Sequence, residues 1–330
     1  VRELVESKFV SGVSELPVSY LVLVATVCAK YGQWRWTQKY FTEHITTERA
    51  KEVSEHDFVE LLKAANGCNP HWWAHELFSH AEKTMPHVTT DKARCQILEN
   101  HVAWQAGRDG IRSKSCSDAS TDRIKEIYHD YLAKNVKVDH QTSAVLLKFA
   151  SSCNDFDFCR ELFANSPKAD LGDYMVMIRC CGRERNINRA IELLEDVAKN
   201  GLVDVAAYNC VLDVCVKCGD VQRASQIFEE MKSKNCLDII SFNTILKACL
   251  QKNISQQAAA VGLTLENLLD ELLARGLTPN DVTYNSLINC KVSKGDIQGA
   301  WAFVDAMNQD GIACDTYTCC IMMKALKPNT

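Results

Sequence analysis

The chain of 330 residues lacks the motifs that identify many enzymes and membrane proteins. It has no phosphate-binding glycine loop, no nucleophile elbow and no zinc framework of paired cysteines. Its longest apolar stretch, Leu21–Ala29, is about half as long as a membrane-spanning helix must be. We therefore expect a chain that is not an enzyme, that holds no cofactor and that does not span a membrane.

An excess of positive charge is also missing. The chain has 37 lysines and arginines against 42 acidic residues, which gives a formal net charge of -5. Proteins that bind nucleic acids use basic residues to neutralise phosphates. Nucleic-acid binding would therefore require that the cations of this chain be concentrated on one face.

The 17 cysteines do not have the pattern of a disulfide scaffold or of a metal site. They are spread over a large chain, and several lie on apolar stripes, where a free cysteine acts as a small hydrophobe. Cys215 and Cys218 have metal or redox spacing but no second pair. His71 and His75 lie four residues apart without a clear third ligand. We predict a reducing compartment and no bound metal.

A unit of about 34 residues recurs through the second half of the chain, as residues 171–204, 205–238, 239–280 and 281–315. In the second unit the apolar residues from Tyr208 to Cys215 follow the i, i+3, i+4, i+7 spacing of a helix that is buried on one side. The residues from Ala224 to Met231 repeat that spacing. Gly219 lies after the first stripe, where glycine suits a left-handed helix end. Each unit is therefore predicted to be a pair of antiparallel helices.

One pair of helices cannot bury both of its apolar stripes, so neighbouring pairs must stack. The sequence thus predicts an all-α solenoid whose function lies on an extended surface. We assign the regular array to residues 140–315, beginning with a shortened unit at 140–170, and the start of a further, incomplete unit to residues 316–330.

Residues 1–139 keep the two-helix rhythm but lose the sequence of the repeat, and we interpret them as divergent hairpins. The segment Gly107–Ser120, rich in Ser, Gly, Asp and Arg, is predicted to be an exposed loop. The predicted helix pairs are Ser19–Lys30 with Trp34–His44, His56–Ala65 with His71–Lys83, and Asp91–Ala106 with Thr121–Lys134.

The four clear units resemble pentatricopeptide repeats, in that their first helices begin with Tyr-Asn (Tyr208-Asn209, Tyr284-Asn285) or Phe-Asn (Phe242-Asn243). The tetratricopeptide repeat has a similar period but a Trp and Leu-Gly signature that is absent here. The resemblance implies a right-handed superhelix that binds single-stranded RNA in mitochondria or chloroplasts, with one base read per repeat.

In that family the fifth residue of a unit contacts the base edge, the last residue supports it, and the second packs on the base face. The residues that this implies are Asn209 with Asp238 and Ala206, Asn243 with Asn280 and Ile240, and Asn285 with Asp315 and Val282. Such pairs resemble pyrimidine readers, so a short U- or C-containing strand is expected. Met175, Cys320 and Ala144 occupy the reading position elsewhere and offer no amide.

Two features of this interpretation have alternatives. Asparagine near the start of a helix is also a common N-cap, so the reading residues can have a purely structural role. The first helices carry cations that would line a basic groove, and the second helices carry many acids, but two faces of mixed charge explain the same pattern. The candidate phosphate contacts are Arg179, Arg183, Lys217, Lys247 and Lys291.

A second function remains open, that of a non-catalytic scaffold subunit docked on other proteins of a large organellar complex. The divergent N-terminal region and the small number of reading units favour it, as does an insertion, Asn253–Thr264, which lies between the two helices of its unit or extends the second. Trp72, Trp73 and Trp104 either pack in the core or form an apolar interface.

Overall fold

The computed structural model describes residues 17–35, 37–38, 41, 45, 49–66, 73–109, 118–166, 168–250 and 255–324, without the side chains of 107–109 and 118–120. The described part of the chain contains α-helices, one short 3-10 helix (Arg49–Glu52) and no strand. Two compact bodies divide at Ala169/Asp170, and we call them the N-terminal and C-terminal bodies. The predicted all-α class is confirmed.

The helices of the N-terminal body alternate between first and second members of hairpins. In chain order they are α1 (Val18–Lys30), α2 (Glu55–Ala65), α3 (Trp73–Thr84), α4 (Asp91–Asp109), α5 (Asp118–Ala133), α6 (His140–Ser152) and α7 (Phe156–Asn165). The first helices α1, α2, α4 and α6 contact one another in sequence, and α3, α5 and α7 each pack on the first helix before them. This pattern is that of stacked hairpins.

The C-terminal body repeats the pattern with greater regularity. Its helices are α8 (Leu171–Arg183), α9 (Ile187–Lys199), α10 (Val205–Cys218), α11 (Val221–Ser233), α12 (Ile239–Leu250), α13 (Ser255–Ala260), α14 (Leu265–Ala274), α15 (Asp281–Ser293), α16 (Ile297–Gln309) and α17 (Thr316–Lys324). The first helices α8, α10, α12, α15 and α17 form a continuous row, so the C-terminal body is a solenoid, as predicted.

Local sequence signals explain where these helices start and stop. An Asx residue caps the second helices α11 and α16, because the side chains of Asp220 and Asp296 accept the backbone N–H groups of Arg223 and Gly299. Gly219 ends α10 with φ 82°, in the left-handed region that glycine adopts without strain. The predicted role of this glycine is confirmed.

Apolar side chains bury the faces along which the hairpins stack. Leu212 of α10 is fully buried, and the ring of Phe228 in α11 meets the ring of Phe242 in α12 edge-to-face at 5.3 Å between centroids. Because Phe228 and Phe242 belong to consecutive repeats, this contact joins one hairpin to the next. The core of the C-terminal body therefore depends on neighbouring repeats and not on any single hairpin.

One boundary differs from the predicted one, and one insertion lies at the first of its two predicted places, between the helices of its unit. The segment Gly107–Ser120 is not wholly a loop, because α4 continues to Asp109 and α5 begins at Asp118, and residues 110–117 lie outside the described part. The insertion at Asn253–Thr264 forms the separate short helix α13 between α12 and α14. The run of alanines in α13 has high helix propensity, which accounts for this short helix.

The remaining expectations for the N-terminal body have mixed outcomes. Trp73 is buried at 1% exposure and belongs to the core, and Trp104 is half-buried, whereas Trp72 and most of Trp34–His44 lie outside the described residues. Within the described ranges, no helix combines the length and apolar character that crossing a membrane requires.

Candidate nucleic-acid interface

The predicted supporting residues are the N-caps of the first helices. Asp238, Asn280 and Asp315 immediately precede α12, α15 and α17, and each side-chain oxygen accepts the backbone N–H of the residue three positions later. The N···O distances are 2.8 Å, 3.0 Å and 2.7 Å. These three residues are therefore N-caps, and capping fixes the direction in which each side chain points.

The predicted reading residues are not caps. Asn209, Asn243 and Asn285 are the fifth residues of α10, α12 and α15, and all three side chains are almost buried, at 5–7% exposure. The Nδ2 of Asn209 donates to Asp238 Oδ1 at 3.0 Å, and the Nδ2 of Asn243 donates to Asn280 Oδ1 at 3.1 Å. In these two units the fifth and last residues of a repeat thus form a hydrogen-bonded pair, as the resemblance implied.

A third residue type joins each pair and was missed by the sequence reasoning. Ser241, Thr283 and Thr318 lie at the third position of the following first helix, and their hydroxyls donate to Asn209, Asn243 and Asn285 Oδ1 at 2.7 Å, 2.8 Å and 2.8 Å. These hydroxyls are 0–2% exposed. A hydroxyl residue three positions after each capping Asp or Asn was the available sequence signal.

The described hydrogen bonds leave a defined set of donors and acceptors unused. In Asp238 and Asp315 only Oδ1 accepts hydrogen bonds from described residues, so Oδ2 remains an acceptor. In Asn280 the Oδ1 likewise accepts the hydrogen bonds, and the N–H groups of the Nδ2 remain available as donors. Asn209 and Asn243 each keep a second N–H on Nδ2, because the hydrogen bonds to described residues use only one. Each unit can therefore form at least one further polar contact.

Two of the three candidate packing residues are exposed to solvent. Ile240 and Val282 are 57% and 45% exposed although both are large and apolar, and Ala206 is half-buried. Tyr317 occupies the same second position in α17, with 62% exposure, and the sequence reasoning did not single it out. Exposed apolar side chains at a repeated position suit stacking against a flat aromatic ligand.

The candidate phosphate contacts are only partly available. Lys217 of α10 and Lys247 of α12 share the carboxylate of Asp213, at 2.6 Å and 3.7 Å, and Lys291 pairs with Asp296 at 3.1 Å. Arg179 and Arg183 are exposed on α8. The first helices therefore present cations, but acids of the same chain neutralise several of them.

Some acids of the second helices pair with cations beside them. Glu192 pairs with Arg189 at 2.8 Å, Asp196 with Lys199 at 3.3 Å, and Glu271 accepts from both Lys232 and Arg275 at 2.7 Å. The second helices therefore carry ion pairs together with exposed acids such as Glu195 and Glu229.

The other described first helices have no amide side chain at the fifth position. That position holds Val22, Val59 and Cys95 in the N-terminal body, each at 1–2% exposure, together with Ala144. In the C-terminal body Met175 is half-buried and Cys320 is exposed. None of these side chains offers an amide, so the candidate interface consists of three consecutive units.

The cysteine pair of α10 does not resemble a metal or redox site. Cys215 is fully buried, and burial raises the pKa of its thiol to about 12, which disfavours the thiolate that metal binding or redox exchange requires. The Sγ of Cys218 lies 3.9 Å from the carbonyl oxygen of Gly182 in the neighbouring first helix. Both residues therefore act in packing. Of the two histidines at metal-ligand spacing, His71 lies outside the described residues.

Comparison with known proteins gives one consistent family. A family model described as the PPR (pentatricopeptide repeat) family matches residues 203–251 and 279–327, and a model described as the PPR repeat matches residues 173–202. No curated protein matches the chain. Among solved structures, the pentatricopeptide repeat protein PPR10 from maize is 20% identical over 92% of this chain, with a TM-score of 0.59. PPR10 in complex with an 18-nt psaJ RNA element is 20% identical over 87% of the chain, with a TM-score of 0.49. The chain covers 41% and 45% of the PPR10 chains in these two structures.

Proposed function

We propose that this chain, which belongs to the pentatricopeptide repeat family, is a non-catalytic adaptor that binds a short pyrimidine-containing single-stranded RNA along three consecutive units of its C-terminal body. The observation that supports the proposal is the repeated pairing of an almost buried Asn with the capping Asp or Asn of the next first helix. Each pair lies beside an exposed apolar residue at the second position of a first helix.

The unused atoms of each unit indicate which base edge it accepts. In the unit that ends with Asp238, a carboxylate acceptor lies beside an amide donor of the reading Asn. The unit that ends with Asp315 has the same two side-chain types, and the hydroxyl of Thr318 lies 2.8 Å from an oxygen of each. Uracil presents the complementary N3–H donor and carbonyl acceptor. In the unit that ends with Asn280, the unused groups are amide donors, which suit the N3 and O2 acceptors of cytosine. We therefore propose the base order U, C, U along the three units.

The capping bonds add specificity because they are formed before any base arrives. Asp238 Oδ1 already accepts Ser241 N–H, and Asn280 Oδ1 already accepts Thr283 N–H. The base consequently meets atoms whose positions are set by the start of a helix, and little side-chain freedom remains to be lost on binding.

The expected affinity is modest. Stacking and edge contacts contribute about 1–3 kcal/mol per base, so three units give roughly 3–9 kcal/mol before the strand is ordered. That range corresponds to a Kd of about one micromolar at best. The chain should therefore act as one contributor within a larger RNA assembly, and the family resemblance supports a mitochondrial or chloroplast location for it.

Fluorescence anisotropy of the purified chain with nine-nucleotide strands tests the proposal. The strands carry UCU, CCC, AAA or GGG at the centre of a common flank, and UCU reads the same in both directions, so strand polarity need not be known. We expect UCU to bind at least about fivefold more tightly than AAA, since one good base contact is worth about 1 kcal/mol or more. The double substitution Asn209→Ala/Asn285→Ala should remove this preference.

Two outcomes would contradict the proposal. Binding that is equal for all four centres would show that these asparagines do not read bases, and preference for GGG would show that the Asp units accept a guanine edge instead. The variant Asn308→Ala, in the second helix α16, controls for the loss of an amide elsewhere in the same body.

The alternative function, a protein-interaction scaffold, is favoured by one observation in the N-terminal body. The helix α1 leaves Tyr20, Leu23 and Val27 exposed at 59%, 58% and 38%, whereas its fifth residue Val22 is buried. Exposed apolar residues on one side of a helix are typical of protein interfaces. The titration distinguishes the two functions, because a scaffold need not bind any of the four strands.

A further inference from the structure

We infer that the buried hydroxyls of Ser241, Thr283 and Thr318 are positioning residues that hold each reading Asn amide in one orientation, and thereby set base specificity without touching RNA. The inference deepens the proposed function and rests on it. It assigns a role to the third residue of the first helices α12, α15 and α17, which orients the Asn side chain of the preceding repeat.

The direction of each amide follows from a chain of fixed hydrogen bonds. In the unit 239–280 the backbone N–H of Thr283 can only donate, so the Asn280 atom at 3.0 Å must be the oxygen. That oxygen requires a donor from Asn243, which turns Asn243 Nδ2 toward it at 3.1 Å. Asn243 Oδ1 then faces the Thr283 hydroxyl at 2.8 Å. In this series, each hydrogen bond determines the orientation of the next side chain.

In the unit 205–238 the orientation of the reading amide is also determined, in this case by a carboxylate. Asp238 is a carboxylate that cannot donate, so Asn209 must present Nδ2 to it and Oδ1 to Ser241. The Ser241 hydroxyl also lies 2.8 Å from Asp238 Oδ1, and its single proton is shared between the two oxygens. The second N–H of Asn209 Nδ2 is what remains for a base.

Other first-helix contacts in the same molecule provide an internal comparison. Where the fifth residue is Met175, the third residue of the next first helix is Ala207, and where it is Val59, the corresponding residue is Ala93. Both alanines are fully buried. A buried hydroxyl occupies this position in each of the three units that have an Asn to orient, and also, as Thr142, in one unit that has none.

The dependence on the hydroxyl should differ among the units. The amides of Asn209 and Asn243 are held at both ends, by the cap oxygen and by the hydroxyl. For Asn285, the hydrogen bond from the Thr318 hydroxyl is the one that the described residues make with its side-chain amide. Removal of that hydroxyl leaves the buried Asn285 Oδ1 without its partner and lets the amide present either end to a base.

The variant Thr318→Val tests the inference, since valine preserves the shape and removes the hydroxyl, and Thr318→Ser restores it. The intact chain is titrated with strands centred on UCU, CCU and UCC. We expect Thr318→Val to reduce a preference of about fivefold for U over C to less than about twofold at one end of the triplet. Ser241→Ala should weaken the preference at the opposite end, and Thr318→Ser should behave as the unmodified chain.

Thr142→Val is the matched control, because Thr142 is a fully buried threonine at the same helical position whose hydroxyl donates to Glu99 at 3.1 Å, where no Asn is involved. It should leave all three affinities in their original ratio. Unchanged end preferences in Thr318→Val, or changes that Thr142→Val reproduces, would overturn the inference.

A measurement without RNA separates this inference from the proposed function. The side-chain NH2 group of Asn285 should give one sharp pair of 15N-correlated NMR signals in the unmodified chain and in Thr318→Ser. The same pair should broaden or split in Thr318→Val. Failure of all strands to bind would then refute the proposed function alone, whereas an unaltered pair in Thr318→Val would refute the positioning role of the hydroxyl.

Discussion

Among single residues, Asp213 affects two of the candidate phosphate contacts in the row of first helices. Its carboxylate accepts Lys217 from its own helix and Lys247 from the next, so one acid occupies two candidate phosphate contacts. RNA must compete with that carboxylate for both ammonium groups. Asp213 should therefore keep affinity low for every sequence without altering the choice of base.

The substitution Asp213→Asn should release the two lysines. We expect the affinity for all single strands to rise by about threefold to tenfold at 50 mM salt, because each added phosphate contact steepens the logarithmic salt dependence by about 0.7. The selectivity for UCU should stay the same. Glu195→Gln changes the net charge equally on the exposed face of α9, and an equal gain in that variant would attribute the effect to overall charge.

The sequence predicted the types of the reading residues but not their surroundings. Asn209, Asn243 and Asn285 could be selected from the resemblance, and the structure pairs the first two with their predicted supports. The hydroxyls of Ser241 and Thr318 were not predicted, because they belong to the next repeat and their role depends on a contact between hairpins. Pattern within one unit carries no information about such contacts.

Turns between the helices of a hairpin differ in strain. Gly219 follows α10 with φ 82°, and the corresponding residue of the preceding hairpin is Arg185, with φ 58°. A residue with a Cβ atom loses about 1–2 kcal/mol in this region, which glycine avoids. The hairpin of α8 and α9 therefore contains a local cost that its neighbour lacks.

The substitution Arg185→Gly should stabilise the chain by about 0.5–1 kcal/mol, since the relief of strain exceeds the extra chain entropy that glycine brings to the unfolded state. The reverse substitution at the equivalent site, Gly219→Ala, should destabilise it by about 1 kcal/mol. Thermal unfolding of both variants beside the unmodified chain measures the two effects. A lower midpoint for Arg185→Gly would show that the arginine side chain contributes more than its backbone costs.

Helices were predicted more reliably than the segments between them. The stripes from Tyr208 to Cys215 and from Ala224 to Met231 gave the correct pair α10 and α11, because burial against neighbours follows apolar spacing. The ends at Asp109 and Asp118 were missed because polar residues there do not signal whether a helix continues. For the insertion the sequence left two placements open, because apolar spacing does not decide between them, and α13 lies between the two helices of its unit.

At the scale of the whole molecule, a net charge of -5 accompanies a candidate interface of only three units. Association with RNA should then depend on few phosphates. If three to five are contacted, the logarithm of the binding constant should fall with the logarithm of salt concentration with a slope of about −2 to −3.5. Titration with the UCU strand from 50 to 200 mM salt determines this value.

The slope of the salt dependence also tests whether the RNA contacts are confined to the three units of the C-terminal body. A slope near zero would contradict an electrostatic groove altogether. A slope near −7 would require about ten phosphates, and hence RNA contacts well beyond the three units. A value within the expected range, together with the buried Val59 and Cys95 at the reading position, would leave the N-terminal body free for contacts with protein.

The hydrogen bonds between Asn209, Asp238 and Ser241 also determine where one repeat can be exchanged for another. A recombination that cuts between Asp238 and Ile239 separates the reading amide from the hydroxyl that orients it. Cutting after Ser241 keeps the three side chains in one transplanted piece. Engineered arrays assembled from this chain should therefore be spliced three residues inside the first helix, and substitutions at Asn209 should be accompanied by a change at Ser241.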